Sequence, residues 1–257
     1  VIDRQQASDD GLPDTHLILN PLQEDCPYPF KELSAAGLAF KLSQALTGDA
    51  ALDHLDLVAL STISDIAPLV GENRILVKKG LEMLSERKNL GIRALAEVAK
   101  MKSSQVNVGH VGFILGPRLN AAGRMSSADT ALQLLLTRVP REAESLAKIL
   151  DEENKARQKM ERETTQEAMR KVEQTVNFNR ERVIVIDGAG WHRGVIGIVA
   201  SRLVEKYERP AIVISVGEGV GRGSGRSIKS FHLFNALRSC ESVLEEFGGH
   251  AQAAGIT

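Results

Sequence analysis

The sequence predicts an α/β protein: an α/β segment, a long connecting helix and a second, smaller α/β domain. Three observations carry this. Two short apolar runs, Val183–Ile186 and Ala211–Ser215, flank a segment of helical period, Val195–Tyr207; that alternation marks a β-α-β unit. No Gly or Pro interrupts the charged stretch from Arg141 to Val176, which reads as one helix of roughly 50 Å at ~1.5 Å per residue. Upstream of it, apolar residues recur at helical spacing in several segments bounded by Gly, Pro and Asn.

In chain order, Val1-Ile2-Asp3 reads as the end of a buried strand that delivers an acid, and Leu17–Leu19 as a short strand. The Pro-rich stretch from Asn20-Pro21 to Cys26-Pro27-Tyr28-Pro29-Phe30 is irregular. Helices are expected over Leu33–Leu46, Leu52–Ile63, Ile75–Leu84, Leu90–Ala99 and Ser127–Leu136, with Gly71-Glu72-Asn73-Arg74 as a polar turn. Asp65 is a single carboxylate in an apolar and small-residue setting, which suits either a helix-end turn or a metal ligand. The segment Gly116–Met125 displays Arg118, Asn120 and Arg124 among small residues that permit close backbone approach. The long helix carries a sparse stripe of Leu146, Ile149, Leu150, Met160, Met169 and Val172, and its charges read as a solvated face. Beyond it come a loop at Asp187–Gly194 and a helix from Leu233 to Cys240.

Two glycine clusters stand out in the smaller domain. Gly219–Ser227 has glycine at alternate positions with Arg222, Ser224, Arg226 and Ser227 between and after them. Such a loop can present backbone N–H groups and forked guanidinium donors to an oxyanion. It lacks the Gly-Lys-Ser/Thr of a nucleotide P-loop and the spacing of a dinucleotide fingerprint. Gly248-Gly249-His250 through Gly255 forms the second cluster. His192 and His250 both lie among glycines.

Bulk properties narrow the classes. The chain has 257 residues, a net charge of −1 and 4% aromatic residues. Any nucleic-acid contact must therefore come from a local basic groove, and few aromatics are available for base stacking. Two distant cysteines, Cys26 and Cys240, read as reduced thiols. No apolar run approaches the length of a membrane span. The strand-like beginning and the ending on Ile256-Thr257 lead us to expect a piece of a longer protein.

Asp65 in its setting, Gly116–Met125, Gly190-Trp191-His192-Arg193-Gly194-Val195-Ile196-Gly197, Gly221–Ser227 and Gly248–Gly255 occur in this order. Together with Asn20-Pro21 and Cys26–Phe30 they resemble the RecJ family of single-strand-specific DNA exonucleases, in the DHH phosphoesterase superfamily. The resemblance covers nearly the whole chain. It implies the C-terminal part of a DHH domain over 1–140, a connector helix over 141–178 and a truncated DHH-associated substrate-binding domain over 179–257. It implies two metal ions, Mn²⁺ or Mg²⁺, with Asp65 and Asp3 as metal-binding and catalytic carboxylates. Substrate contacts fall on Arg118, Asn120, Arg124, Trp191, His192, Arg222, Gly223, Ser224, Arg226, Ser227, Gly249 and His250. The implied activity is release of nucleotides from the 5′ end of single-stranded DNA threaded between the domains, in DNA repair and recombination. The implied setting is a cytoplasmic monomer that meets single-strand-binding protein or a helicase.

Two features depart from the family pattern. Its first two metal motifs would precede Val1, and Arg4-Gln5 stands where two histidines follow the aspartate of the third. Arginine stays protonated and has no acceptor, so Arg4 cannot ligate a metal. The chain as given is therefore expected to be weak or dead in catalysis. A non-catalytic strand-binding or scaffold relative, and a DHH phosphodiesterase of short oligonucleotides, remain open.

Overall fold

The computed structural model describes residues 1, 2, 15 and 17–257. They fall into two compact units, one of 1–123 and 127–152, the other of 124–126 and 153–257.

The first unit is built mainly of helices: α1 (Ala35–Thr47), α2 (Leu55–Ser64), α3 (Gly71–Glu86) and α4 (Leu90–Val98). Ser34 and Asn89 cap α1 and α4, their side-chain oxygens accepting from Gly37 N–H at 3.0 Å and Ile92 N–H at 3.1 Å. Each cap satisfies a first-turn donor that would otherwise lack a partner. The polar stretch Gly71–Arg74, expected as a turn, is the first turn of α3. Only Asn73 of this turn is buried, and it is accommodated because it donates to the carbonyls of Glu32 at 2.6 Å and Pro68 at 3.0 Å. The expected helix from Leu52 begins instead in a 3₁₀ stretch, Gly48–His54. The expected strand at Leu17–Leu19 is reduced to one bridge, Ile2 to Leu19.

The chain then runs through α5 (Val108–His110), a π turn (Val111–Leu115) and α6 (Gly116–Met125), followed by α7 (Asp129–Leu136) and α8 (Pro140–Thr175). The small-residue segment Gly116–Met125 is thus helical. Pro117 has no N–H and its ring crowds the carbonyl four residues earlier, so a regular turn cannot lead into α6. The π turn widens the helix at that point, with Gly116 N–H bonded to the Val111 carbonyl. Leu60, Leu84, Leu95, Val111, Leu115, Leu134 and Leu150 form the core of this unit. Each such side chain contributes about 1.5–3 kcal/mol by leaving water. The 36 residues of α8 begin in this unit, and those from Glu153 onward belong to the other.

The second unit is a five-stranded sheet of β1 (Ile184–Ala189), β2 (Ala211–Gly217), β3 (Val220–Arg226), β4 (Phe247–Gly249) and β5 (Ala253–Ile256) in the order β1-β2-β3-β5-β4. Helix α9 (Arg193–Tyr207) is the crossover between β1 and β2, the parallel pair; the other pairs are antiparallel. Gly217 pairs with Val220, leaving Glu218 and Gly219 as a two-residue turn with φ of 53° and 78°. Positive φ at both positions suits the right-handed twist of a hairpin, and glycine meets that demand most easily.

The register separates the two faces. Ala211, Val213 and Ser215 pair with Arg226, Ser224 and Arg222, so these six side chains share a face. Ala211 and Val213 pack there with Ile184, Ile186, Val199 and Leu203, and with Ala168 and Val172 of α8. On the opposite face Ile212 and Ala254 pack with Leu233 and Leu237 of α10 (Leu233–Arg238). The glycine run expected as an open anion-binding loop is therefore an interior strand. From Gly223 to Arg226 it pairs on both sides, so its backbone donors serve the sheet rather than an oxyanion.

The Pro-rich stretch is tied down by charge. Tyr28 Oη donates to Glu72 Oε1 at 2.7 Å, and Lys41 Nζ lies 2.5 Å from Glu72 Oε2. Burial alone would raise the Glu72 carboxyl, but hydrogen bonds from Lys41 and Tyr28 outweigh it and hold the carboxyl below its ordinary value. A depressed carboxyl stabilises the fold above its unfolded pKa and loses that contribution as pH falls through the folded one. We expect Glu72→Gln to destabilise the protein by roughly 1 kcal/mol at pH 7. The gap should close as pH falls below the ordinary carboxylate range, as read by urea unfolding across pH.

Candidate functional site

In the second unit the site starts where β1 ends. Trp191 folds back under Gly188 and is 5% exposed. Its carbonyl accepts from Ser215 Oγ at 2.5 Å. Its indole Nε1–H is buried with no partner among the described residues. Trp191 thus belongs to the core, not to an open binding face. His192 caps α9, Nδ1 accepting from Gly194 N–H at 3.0 Å. Beside it Arg193 opens the helix and is exposed.

Two glycines of α9 let other segments in. A Cβ on Gly194 would strike the Arg124 carbonyl, so the main chain at Arg124 runs directly against the start of α9. A Cβ on Gly197 would lie 2.9 Å from Ser224 Oγ and 3.0 Å from Arg226 Nη2. The missing side chain makes room for the polar face of β3.

On that face Arg226 Nη1 donates to Ser224 Oγ at 3.1 Å and to the Gly225 carbonyl at 2.7 Å. Burial, and then the charge of Arg124, push the Arg226 guanidinium below its ordinary value; an arginine nonetheless remains charged. No carboxylate forms an ion pair with Arg226 or Arg124 among the described residues. A half-buried guanidinium beside an exposed one, with no counter-charge, is a good receptor for an anion.

Gly248 and Gly255 face each other across β4 and β5, and Gly255 pairs with Ser224, so all three share a face. A Cβ on either glycine would meet nothing within 4 Å, and neither has positive φ. Neither backbone conformation nor packing calls for glycine at these positions. They floor an open cavity of about 1000 Å³, walled by Arg193, Arg222 and Ser224 on one side and by Glu241, Glu245 and Glu246 elsewhere. Gly249 carries φ of 149°, and His250, exposed, donates its N–H to the Ala253 carbonyl at 2.7 Å in the turn joining the two strands. Ser227 is occupied in holding the chain: its Oγ donates to the Phe231 carbonyl at 2.8 Å and its N–H to the Gln252 carbonyl at 3.0 Å.

The second unit therefore gathers Arg124, His192, Arg222, Gly223, Ser224 and Arg226, with Gly249 and His250 in the hairpin alongside. The sequence motif alone does not single out Arg193; its place as first residue of a helix after a capping His is the signal that marks it. In the first unit Asp65 follows the end of α2 and is exposed. Ile66 next to it has φ of 54° and is 89% exposed. Asn120 is exposed on α6, whereas Arg118 of the same helix is held by Asp151. Asp3, like Arg4 and Gln5, lies outside the described residues. Among the described residues no three His, Cys, Asp or Glu side chains come together as a metal site, so Asp65 by itself does not fit a two-metal centre.

Residues 180–257 match the DHHA1 domain family. The chain is 46% identical over 248 residues to the single-stranded-DNA-specific exonuclease RecJ of Bacillus subtilis, covering 96% of this chain and 31% of that protein. It is 38% identical over 274 residues to the protein of that name from Escherichia coli, covering 96% and 47%. The crystal structure of RecJ in complex with Mn²⁺ from Thermus thermophilus superposes with a TM-score of 0.81 at 36% identity, over 94% of this chain and 36% of that one. A Mg²⁺ complex from the same source superposes equally well, at 0.81. The chain thus spans about a third to a half of the curated relatives it matches, and no helix among the described residues is long and apolar enough to cross a membrane.

The glycines give a contrast in stability. Gly194→Ala should destabilise by about 1–3 kcal/mol, because the Arg124 backbone has to move. Gly255→Ala should stay within about 0.5 kcal/mol, having open space above it. Thermal and urea unfolding of both variants would check this.

Proposed function

We infer, from a chain homologous to RecJ over nearly its whole length, that this protein is the strand-gripping part of a metal-dependent 5′→3′ exonuclease of single-stranded DNA. The observation that carries the reading is the Arg226 guanidinium on the α9 face of β3 beside Arg124, neither with a carboxylate partner among the described residues, in a chain 46% identical to a single-stranded-DNA-specific exonuclease. On this reading the first unit is the C-terminal part of a DHH domain and the second is the DHH-associated domain.

The chemistry of the grip follows from the residue types. Arg226 and Ser224 hold one phosphate as a forked, charge-assisted pair. Arg222 and Arg193 neutralise further backbone charge, and the bare floor at Gly248 and Gly255 lets the sugar-phosphate chain lie close to the sheet. His250, the Gly249 backbone and Arg124 at the end of α6 belong to the same surface; in the first unit, Asn120 offers its amide from the exposed face of α6. All of these address the backbone, so the grip is tolerant of sequence. Mn²⁺ or Mg²⁺ would supply water activation and leaving-group stabilisation in the whole enzyme. The described residues do not assemble that centre, and no bond-breaking step is assigned to them. The protein works as a cytoplasmic monomer on strands opened by a helicase or covered by single-strand-binding protein.

The reading is tested by fluorescence anisotropy with a 5′-labelled single strand across a salt titration, beside hydrolysis in Mn²⁺. We expect binding without appreciable hydrolysis by this chain. Arg226→Ala should weaken binding and reduce the slope of log affinity against log salt by about 0.7–1. No affinity for single strands, or an unaltered slope, would remove the reading. Hydrolysis abolished by Asp65→Asn would show a competent metal site in the chain itself.

A further inference from the structure

Arg118 lies in the segment that sequence marks as displayed to a ligand, yet its guanidinium turns inward. Nε donates to Asp151 Oδ1 of α8 at 2.9 Å and Nη1 donates to the Ile114 carbonyl at 2.7 Å. The arginine side chain is 16% exposed and the aspartate 7%. Two of its three nitrogens are thus committed within the first unit. Ile114 sits in the π turn that Pro117 imposes, where the regular ladder of helix hydrogen bonds is interrupted. One side chain therefore ties together the irregular turn, the start of α6 and the face of α8. Asn120, two residues on, points to solvent on α6. The direction in which it leaves the π turn is set by whatever fixes that turn.

We propose that Arg118 and Asp151 are a positioning pair for single-strand binding: they set the orientation of the exposed α6 face bearing Asn120, and Arg118 itself neutralises no phosphate. This rests on the reading of the chain as a single-strand grip. It departs from the assignment of Arg118 as a substrate contact, because a guanidinium that faces a buried carboxylate has its charge compensated within the fold. A buried pair of this kind contributes little net stability but is strongly disruptive when one partner is removed. Its effect on a ligand should therefore come from geometry and not from charge count.

The test uses this chain, a fluorescein-labelled oligo-dT and anisotropy at several salt concentrations, with melting temperatures measured in parallel. Arg118→Gln, Asp151→Asn and the double variant form a cycle; Asn120→Ala and Arg226→Ala are comparisons. We expect each single variant to weaken binding about 5- to 10-fold, and the double variant to be no weaker than the worse single. The salt slope should match wild type in all three. Arg118→Lys keeps the charge but not the fork, so it should bind as poorly as Arg118→Gln; it and Asp151→Asn carry the test if Arg118→Gln does not fold. A slope reduced by Arg118→Gln, with Asp151→Asn at wild-type affinity, would make Arg118 a phosphate ligand and overturn the proposal. Lower melting temperatures with unchanged affinity would reduce the pair to a purely structural role and overturn it equally. Wild-type protein that binds no single strand would instead sink the functional reading beneath it, and Arg226→Ala distinguishes the two failures.

Discussion

Strand β3 carries side chains on one face only, and the second unit is arranged around that asymmetry. Gly221, Gly223 and Gly225 leave its other face bare, so Ile214, Ile256 and Leu233 come down onto the backbone itself. A Cβ on Gly225 would sit 2.7 Å from Leu233 Cδ2, and one on Gly223 would sit 2.6 Å from Ile256 Cγ1. The apolar layer beneath the sheet therefore forms without β3 contributing to it. All of its polar side chains, Arg222, Ser224 and Arg226, are left to the face where α9 has made room at Gly197. Polar groups in the middle of a sheet are tolerated there because hydrogen bonds within the strand and the open cavity solvate them.

Charge distribution follows from the same arrangement. A chain with net charge −1 has no long-range pull on a polyanion. It nevertheless sets Arg124 close enough to Arg226 for their charges to interact. Three arginines elsewhere are compensated by carboxylates, Arg157 by Glu161, Arg202 by Glu161 and Glu205, and Arg118 by Asp151, while Arg87 and Arg209 are taken up by main-chain carbonyls. Residue type alone does not separate such cations from the Arg124–Arg226 pair.

Much of the fold was legible because it rests on period and punctuation. Helices α1, α4 and α8 and strands β1 and β2 fall within a few residues of their sequence expectations, since each has a strong apolar pattern or an uninterrupted run of good helix formers. β3 was hidden because an alternation of glycine with Arg and Ser has no apolar half, and glycine is depleted in strands. The polar first turn of α3 was hidden because the partners of Asn73 include a carbonyl distant in sequence. The same limit applies at the site. The motifs single out Arg222, Ser224 and Arg226, which the register places on one face, and His250, which is exposed. They did not reveal that Trp191 is core, that Ser227 braces a turn or that Arg118 faces a carboxylate, all of which depend on partners outside the motif. Histidine as the cap of α9 is also outside the usual Ser, Thr, Asp and Asn signal.

Interior placement of β3 bears on how this molecule moves. By composition Gly219–Ser227 is the most flexible-looking stretch of the chain, the kind of sequence used for loose linkers. From Gly223 to Arg226 its amides are held by neighbours on both sides, and opening them means pulling apart the sheet. Their exchange with solvent deuterium should accordingly belong to the slow, cooperative class, governed by global unfolding and not by local breathing. On the proposed reading the grip is a fixed surface, and the freedom that substrate passage needs comes from the ligand or from the exposed turn at His250.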